Sequence, residues 1–484
     1  MTSSLDTHMH EVSLTSRPVD SLAPFARPSH LARFRSVRDD VAARLHGGTL
    51  WHVNSTSEGG GVAELLHQVL GYVIDGGIAC RWTVIDGDPE FFRITKRIHN
   101  RLHGSTGDGG ELGEEERRAY DRVLAREGGA LLELVRPGDV VELHDPQTAG
   151  LIRPLIDAGM RVIWVSHIGA DRPDDVVRSG WDFLRADVTA ADACVFSRRA
   201  YLWDGLDRRR TAVIPPCIDP LSPKNAVMSP AEVLAVLGAA GVVDVPAPEL
   251  ASIALPDDDP IEIRNRVEAV EEAPAPIGAP LVMQISRWDR LKDHLGVLRG
   301  FADHVRPDLD AHLLLVGPMT TGVTDDPEGA EVLDEAETAW RSLPDDVRAR
   351  IHLISLPTED RVENAVVVNA IQRRADVVVQ KSTAEGFGLT VAEAMWKLRA
   401  VVASRVGGIQ DQIVDGRSGW LIDAADLSEL GEAVSTLIGD MGFAHAMGHA
   451  ARRRIRDRFL PPHFLGGHLA LVARVLSRPD KVAG

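Results

Sequence analysis

Two glutamates on either side of a glycine-containing turn are the residues of this sequence best suited to chemistry. Glu385 and Glu393 belong to the segment EGFGLTVAEA, which follows an apolar run over residues 375–380 and continues into residues 395–398 (MWKL). This order predicts a buried strand, a turn and then a helix. Because the free amides and positive end of a helix attract anions, the turn is predicted to bind a phosphate. Its residues are Gly386, Phe387, Gly388, Leu389 and Thr390.

A simpler explanation exists for the second glutamate. Thr390 and Glu393 have the T-x-x-E spacing of a capping box, in which Glu393 would only close the N-terminus of the helix. For an isolated pair of this kind, the capping box is the commoner structure. The turn and Glu385 favour ligand binding instead, because carboxylates beside a phosphate site suit the hydroxyl groups of a sugar.

Two cations follow another predicted strand, residues 281–285. Arg287 and Lys292 lie beyond its carboxyl end, where both can converge on one diphosphate. Arginine supplies a planar fork of donors and lysine a compact charge. Either could also be a solvated loop cation. Their position opposite the turn after Glu385 favours a phosphate-binding role.

Polar and glycine residues also follow strands in the first half of the chain. Asn54 precedes a run of three glycines that includes Gly60 and Gly61, at the start of a predicted helix over residues 62–74. Glycines there let a ligand approach the helix N-terminus closely, although a flexible turn is an equally good explanation. The G-x-G-x-x-G spacing is absent, so a hydride-transfer enzyme is less favoured.

Histidines and their neighbours follow the next two predicted strands. Asp145 and Gln147 come after the strand at 140–143, and His167 comes after the strand at 162–165. A single histidine after a strand is more often structural than catalytic. Here two strand ends present polar residues at the carboxyl edge of a parallel sheet, where α/β proteins bind ligands.

Alternating strands and helices position all of these residues. The alternation predicts an α/β protein with two parallel-sheet domains, separated after Pro215 and Pro216. Strands are predicted at 50–53, 82–85, 140–143, 162–165, 193–196 and 212–214, and then at 281–285, 312–316, 351–354, 377–379 and 401–403. The predicted divisions are a flexible arm (1–28), a first domain (29–225), a helical insertion and linker (226–280), a second domain (281–458) and a final helix (459–484).

Composition restricts the class of protein. A chain of 484 residues with 44% hydrophobic residues can form two cores. Its net charge of −18 argues against nucleic acid or an anionic membrane as partner. The three cysteines lack metal-ligand spacing and are predicted to be reduced and mostly buried. With no signal peptide and no apolar run of roughly 18 residues, a soluble cytoplasmic protein is expected.

Four segments in order carry a family resemblance. They are HVNST-x-x-GGGVAE, HDPQ, PP-x-IDPLS-x-KN and EGFGLTVAEAMW, spread between about residues 50 and 459. Together they resemble the retaining glycosyltransferases of family 4, and within it the trehalose glycosyltransferring synthases. The resemblance implies a GT-B fold, in which two Rossmann-like domains face each other across a cleft. It also implies that the final helix (459–484) crosses back onto the first domain. It also implies reversible transfer of glucose from a nucleoside diphosphate glucose to free glucose, which forms trehalose.

The same resemblance implies roles for the candidate residues. Glu385 and His167 would hold the donor sugar, Glu393 the ribose, and Arg287 and Lys292 the leaving diphosphate. The turn amides and the two glycines would complete the donor site. Acceptor binding would fall to the following residues: Asn54, Asp145 and Gln147.

Several expectations and alternatives follow from these roles. Because protein cations would stabilise the leaving group, no metal is expected at the chemical step, and Mg²⁺ would serve only as a nucleotide counterion. A homodimer is possible. The rival functions are a trehalose phosphorylase, a family 4 transferase with another small acceptor, and a non-catalytic sensor of sugar nucleotides.

Overall fold

The computed structural model describes residues 9–58, 60–245, 251–255, 259–320 and 327–478, which form two units, each built around one large sheet. The first unit comprises the described residues up to Cys217 and those from Arg458 onwards, and the second runs from Ile218 to Asp457. The division after Cys217 therefore lies earlier in the chain than the predicted boundary at residue 225.

The first unit has a seven-stranded sheet in the order β1-β3-β2-β4-β5-β6-β7. Strand β1 is antiparallel to β3, and the other pairs are parallel. The strands are β1 (His10–Val12), β2 (Thr49–Asn54), β3 (Ala79–Val84), β4 (Val140–His144), β5 (Arg161–Ser166), β6 (Ala193–Phe196) and β7 (Thr211–Val213). The helices between them are α1 (Pro28–Leu45), α2 (Gly61–Ile74), α3 (Pro89–Leu102), α4 (Glu114–Leu134), α5 (Ile152–Asp157) and α6 (Asp175–Val188).

Aspartates begin two of these helices. The carboxylate of Asp88 accepts a hydrogen bond from the Phe91 amide at 2.8 Å, and that of Asp174 accepts one from the Val177 amide at 2.9 Å. Each bond satisfies an amide that the helix itself leaves without a partner.

The three cysteines are free thiols, and Cys194 and Cys217 are buried, as predicted.

The predicted flexible arm is wrong for residues 9–28. Strand β1 pairs with β3, and the Arg17 amide donates to the Gly71 carbonyl at 3.0 Å. Val19 and Leu22 are buried in a 3-10 turn. The polar composition misled because an edge strand is held by backbone bonds, which need no apolar side chains. Residues 1–8 lie outside the described part of the chain.

The second unit repeats this plan, with a sheet in the order β11-β15-β14-β13-β16-β17-β18. Strand β11 is antiparallel to β15, and the other pairs are parallel. Its strands are β8 (Val243–Asp244), β9 (Ser252–Ile253), β10 (Ile261–Glu262), β11 (Glu268–Val270), β12 (Ala275–Pro276), β13 (Leu281–Ile285), β14 (His312–Pro318), β15 (Ile351–Leu356), β16 (Val377–Gln380), β17 (Ala400–Ser404) and β18 (Trp420–Ile422). Its helices are α7 (Pro230–Ala240), α8 (His294–His304), α9 (Pro327–Arg341), α10 (Asp345–Arg348), α11 (Arg361–Arg374), α12 (Leu389–Trp396), α13 (Ile409–Gln412), α14 (Leu427–Gly439) and α15 (Met441–Arg458).

The segment predicted as a helical insertion and linker, residues 226–280, is only partly helical. Helix α7 is followed by short strands, of which β11 extends the main sheet. The buried Glu363 carboxylate accepts hydrogen bonds from the amides of Arg264 and Asn265, both at 2.7 Å. These bonds make the segment part of the second unit. Its residues 246–250 and 256–258 lie outside the described chain.

The final helix, α16 (Pro461–Leu476), belongs to the first unit and packs against α1 and α2. In the described part of the chain, the helical stretch Met441–Leu476 is the one long and apolar enough to cross a membrane. Residues 459–460 interrupt it, and 67% of its most apolar window is buried inside the protein. Burial of that kind is typical of core helices.

Candidate active site

The turn between β16 and α12 is built as an anion site in the second unit. Gly388 ends it with φ at +85°, a left-handed conformation that favours glycine. A Cβ at this position would lie 3.1 Å from Cγ1 of Ile409. Gly388 also precedes the first residue of α12 and has no side chain with which to cap it. The N-terminus of α12 is therefore suited to an anion.

The loop after β17 holds this turn in place. The Gly408 amide donates to the Gly386 carbonyl at 3.1 Å. The Gln412 side-chain amide donates to the Phe387 carbonyl at 2.5 Å and to that of Gly388 at 3.2 Å. The turn is thus fixed by the protein itself, and a ligand that binds there need not order it.

The capping-box explanation of Glu393 is wrong. The residue that precedes α12 is Gly388, so Thr390 lies inside the helix and does not cap it. Glu393 is buried, with 2% of its surface exposed. Its Oε2 accepts a hydrogen bond from Nε2 of Gln372 at 3.2 Å, and Nζ of Lys224 lies 3.7 Å from Oε1. The carboxylate is therefore held by side chains of other elements.

The structure brings together one predicted cation and one predicted carboxylate. Nζ of Lys292 lies 2.6 Å from Oε2 of Glu385. Ser382 donates its hydroxyl to the same oxygen at 3.2 Å. Both charged side chains are mostly buried, 17% and 13% exposed. This ion pair places a positive charge and a carboxylate beside the turn that is predicted to bind a phosphate.

Arg287 is placed differently from Lys292. Its side chain is 62% exposed and its Nη2 lies 2.9 Å from Oδ2 of Asp289. Convergence of Arg287 and Lys292 on one diphosphate stays a prediction.

Lys381 lies beside the candidate site residues Lys292 and Glu385 and was not predicted from the sequence. It directly follows β16, is 2% exposed, and forms an ion pair with Asp293. Its amide donates to Oε1 of Gln284 at 2.8 Å, and Nε2 of Gln284 donates to the Lys292 carbonyl at 2.8 Å. The sequence did contain a signal for Lys381, a lysine immediately after an apolar strand. Since a lysine buried at such a position requires a charged partner, an ion pair could have been predicted there.

In the first unit, Asn54 is engaged in structural bonds at the end of β2. Its Oδ1 accepts from Nε1 of Trp82 at 2.8 Å, and its Nδ2 donates to the Thr56 carbonyl at 2.6 Å. These bonds shape the turn into α2, and acceptor binding by Asn54 stays a prediction.

Gly60, one of the two described glycines of this turn, has open surroundings. Gly60 has an extended backbone and precedes Gly61, the first residue of α2. A Cβ at Gly60 would meet nothing within 4 Å. The protein itself therefore does not require glycine there, whereas close approach of a ligand would. Gly59 lies outside the described residues.

Asp145 has strained backbone geometry at the end of β4. Its φ of 64° and ψ of 180° lie in a region used almost only by glycine, at a cost of about 1–3 kcal/mol. Its Oδ1 accepts a hydrogen bond from the His167 amide at 2.8 Å, which ties the ends of β4 and β5 together. Burial raises the pKa of the Asp145 carboxyl, although His167 opposes this. Gln147 follows, partly exposed, in the mostly buried 3-10 turn Pro146–Leu151.

His167 lies at the carboxyl end of β5, partly buried. Its Nε2 is 3.1 Å from Nδ1 of His144, and its carbonyl accepts from the Ser197 hydroxyl at 3.3 Å. Burial lowers the pKa of His167, so the imidazole is neutral at neutral pH. The two predicted residues Asp145 and His167 are thus brought together as expected from adjacent parallel strands.

Known proteins match both units of this chain. The family described as "Trehalose synthase, N-terminal domain" matches residues 52–203, and "Glycosyl transferases group 1" matches residues 268–454. A trehalose synthase of Rubrobacter xylanophilus is 36% identical over 462 residues, which cover 93% of this chain and 98% of that protein. The chain belongs to the trehalose synthase family.

Other matches give the broader enzyme class and the fold of this protein. It is a glycosyltransferase, and the predicted GT-B fold with two Rossmann-like domains is confirmed. A solved alpha,alpha-trehalose-phosphate synthase (UDP-forming) from Burkholderia vietnamiensis shares that fold, with a TM-score of 0.64, 16% identity, and coverage of 90% of this chain and 98% of that one. A trehalose phosphorylase of Grifola frondosa is 28% identical over 84% of this chain, which spans 54% of that protein.

Proposed function

We propose that this member of the trehalose synthase family transfers glucose from a nucleoside diphosphate glucose to free glucose, with retention, and forms trehalose reversibly. The observation that carries this proposal is the ion pair of Lys292 and Glu385 beside the N-terminus of α12. A cation, a carboxylate and helix amides at one place match a sugar joined to a diphosphate. The similarity to the Rubrobacter protein along nearly its whole length supports trehalose as the product.

Stabilisation of the leaving group is the main catalytic contribution in this proposal. As the bond between the glucose C1 and the phosphate oxygen breaks, negative charge grows on the nucleoside diphosphate. Lys292, Arg287 and the amides of the turn before α12 stabilise that charge. One such contact commonly lowers a barrier by about 3 kcal/mol. Protein cations thus do the work of a metal at this step, and Mg²⁺ acts only as a counterion of the nucleotide.

Retention follows from the face on which the acceptor enters. The acceptor hydroxyl attacks C1 from the side of the departing phosphate, and its proton passes to the phosphate oxygen that has left C1. Glu385 and His167 hold the donor sugar, and Glu393 accepts hydrogen bonds from the ribose hydroxyls. The strained Asp145, with Gln147, faces the acceptor glucose.

A trehalose phosphorylase is the second candidate, favoured by the similarity to the Grifola protein. The same cations could bind inorganic phosphate in place of a nucleotide. Since this chain spans only about half of that relative, the synthase is the better-supported function.

Product analysis tests the proposal. The purified protein is incubated with glucose and UDP-, ADP- or GDP-glucose in turn, and separately with trehalose and inorganic phosphate, all after chelator treatment. We expect a non-reducing α,α-linked disaccharide, identified by NMR, from at least one nucleotide sugar. If no nucleotide sugar gave a disaccharide, and trehalose with inorganic phosphate gave glucose 1-phosphate, the protein would be a phosphorylase instead.

A further inference from the structure

A line of three histidines crosses the sheet of the first unit towards its carboxyl edge. His52 on β2 lies in register with Glu142 on β4, and His144 is two residues further along β4 on the same face. Nδ1 of His52 lies 3.1 Å from Nε2 of His144, and Nδ1 of His144 lies 3.1 Å from Nε2 of His167. His52 and His144 are buried, and His167 is partly exposed at the sheet edge.

The ring geometry shows that these contacts are hydrogen bonds. Ring centroids are 5.4 Å apart in both pairs, with interplanar angles of 23° and 18°. The distance between ring centroids exceeds the 3.1 Å distance between the nitrogens by about the width of one imidazole ring. Each pair of nitrogens therefore lies on the line that joins the two ring centroids, and the nitrogens point at one another. His52, Glu142 and His144 also offer ligand atoms within 4.8 Å of one another. A metal ion needs lone pairs that converge on one point, whereas the two ring nitrogens here point at each other and share one proton in a hydrogen bond.

A single carboxylate stands at the inner end of this line. Oε2 of Glu142 accepts a hydrogen bond from Nδ1 of His468 on α16 at 3.0 Å, and it lies 3.8 Å from Nδ1 of His52. Burial opposes the charge of Glu142, but the hydrogen bond from His468 and the attraction of His468 and of the neighbouring histidines together lower the pKa of the carboxyl. Burial lowers the pKa of His52 to about 4 and that of His144 well below its usual value. The line thus consists of neutral imidazoles, with the carboxylate of Glu142 at its inner end and the carboxyl group of Asp145 bound to the His167 amide at its outer end.

In a row of neutral imidazoles, all N–H groups can donate towards one end of the row or all can donate towards the other end. The charge of Glu142 favours the proton of His52 on Nδ1, the nitrogen that faces both the carboxylate and His144. In the described structure Nε2 of His52 is buried without a partner, and a bare acceptor there is less costly than an orphaned N–H donor. Each Nδ1–H then donates to the next Nε2. His144 therefore donates to His167, whose own proton must lie on Nδ1.

We propose that Glu142, held by His468, is a positioning residue that sets the tautomer of His167 through His52 and His144. As a result, Nδ1 of His167 is a hydrogen-bond donor at the sheet edge. The role of that donor towards a sugar hydroxyl rests on the proposed function. The tautomer itself does not.

NMR of the full-length protein with ¹⁵N-labelled histidine tests the tautomer. The signals of His167 are assigned from their loss in the His167→Gln variant. We expect protonated Nδ1 and unprotonated Nε2 in the unaltered protein. In Glu142→Gln, which removes the charge, His167 should populate both tautomers. Protonation on Nε2 in the unaltered protein overturns the proposal without any need for the variant to fold.

Kinetics of the same variants test the consequence. For Glu142→Gln we expect kcat/KM for the donor to fall about tenfold, the size of one lost hydrogen bond, with KM for the acceptor unchanged. His468→Asn keeps an N–H for Glu142 and should retain the tautomer and most of the rate. Glu271→Gln is the matched control, because Glu271 also accepts from a buried histidine, at 2.7 Å, in the second unit.

The outcomes separate this proposal from the proposed function. An unaltered His167 tautomer in Glu142→Gln overturns the proposal. A changed tautomer with unchanged kinetics overturns its link to catalysis. If the unaltered protein made no trehalose from any nucleotide sugar, the proposed function would fail, and the NMR result would still decide the tautomer.

Discussion

Each unit of this glycosyltransferase contains histidines linked to one glutamate, but the two groups lie at opposite ends of their strands. In the second unit His352 donates from Nδ1 to Glu271 at 2.7 Å, and its Nε2 lies 2.9 Å from Nδ1 of His312. His312 is the first residue of β14 and His352 the second residue of β15. In the first unit the line instead ends at His167, beyond the carboxyl end of β5.

The difference shows that position in a parallel sheet, more than the set of side chains, decides what a cluster can do. Ligands of open α/β sheets bind outside the carboxyl ends of the strands. We therefore interpret the group of Glu271, His352 and His312 as structural and the line to His167 as connected to the site. Changes at the carboxyl ends of strands, or at residues that act on side chains there, should alter activity, and changes in the group of Glu271, His352 and His312 should alter stability.

The largest effect is expected at Lys292, beyond the carboxyl end of β13. Lys292→Ala should lower turnover at least a hundredfold, because it removes a charge from the leaving diphosphate. The matched control is Arg290→Ala, since Arg290 lies two residues away and pairs with Glu331 and Glu335. Initial rates with saturating substrates measure both. A near-normal rate for Lys292→Ala would show that the phosphate assignment is wrong.

The next largest effect is expected at Glu393. Glu393→Gln should weaken donor binding by about 1.5–3 kcal/mol, because one acceptor for the ribose becomes a donor. The contact with Lys224 is lost as well, so a moderate fall in melting temperature is expected. Calorimetric titration with nucleotide and a thermal melt measure the two effects.

Glu363→Gln provides the comparison for Glu393, because Glu363 is also a buried glutamate of the second unit and lies outside the predicted donor site. It should lower the melting temperature and leave nucleotide affinity unchanged. Equal losses of affinity in both variants would point to a general loss of structure and against a ribose contact.

A smaller effect concerns acid stability. Burial lowers the pKa of His52 and His312 to about 4 in the folded protein. The unfolded chain binds protons on these residues from about pH 6.5 downwards, so folding stability is fully present above that pH and falls as the pH drops towards 4. Thermal melts should therefore show a steadily lower Tm across this range. In His52→Gln the dependence should be weaker, and an unchanged slope would contradict the buried neutral state.

The smallest effect on stability is expected at Gly60. A methyl group there meets open space and an extended backbone, so Gly60→Ala should change the free energy of unfolding by no more than about 0.5 kcal/mol. Donor affinity should still fall, because the methyl group prevents close approach of the ligand. Gly388→Ala is the contrast: its φ of +85° makes alanine strained, so stability should fall too. Unchanged affinity in Gly60→Ala would remove this glycine from the donor site.

Much of the fold was predictable because each central strand is a short apolar run that ends in polar residues. The runs at 193–196 and 281–285 gave strands with the predicted bounds. The turn at Gly388 was also predictable, because a glycine followed by the start of a helix can be recognised from neighbouring residues in the sequence. Strand β1 was not, because its backbone bonds leave no apolar pattern.

The missing parts of the site depend on contacts between distant residues. Glu142 is only a polar interruption in VVELH, and nothing nearby in the chain indicates His468 as its partner. His52 and Glu142 meet through strand register, which sequence periodicity alone does not determine. The ion pair of Lys381 with Asp293 likewise joins two loops that are adjacent only in the folded unit.

The return of α16 to the first unit has a consequence for synthesis of the chain. The first unit is discontinuous in sequence, and the partners Glu142 and His468 are 326 residues apart. A ribosome must therefore translate the whole second unit before the first can be completed. Until then the apolar surface that α16 covers on α1 and α2 is open to chaperones and proteases. A nascent chain that stops before α16 leaves this surface uncovered, so proteases can distinguish it from a chain that contains the helix.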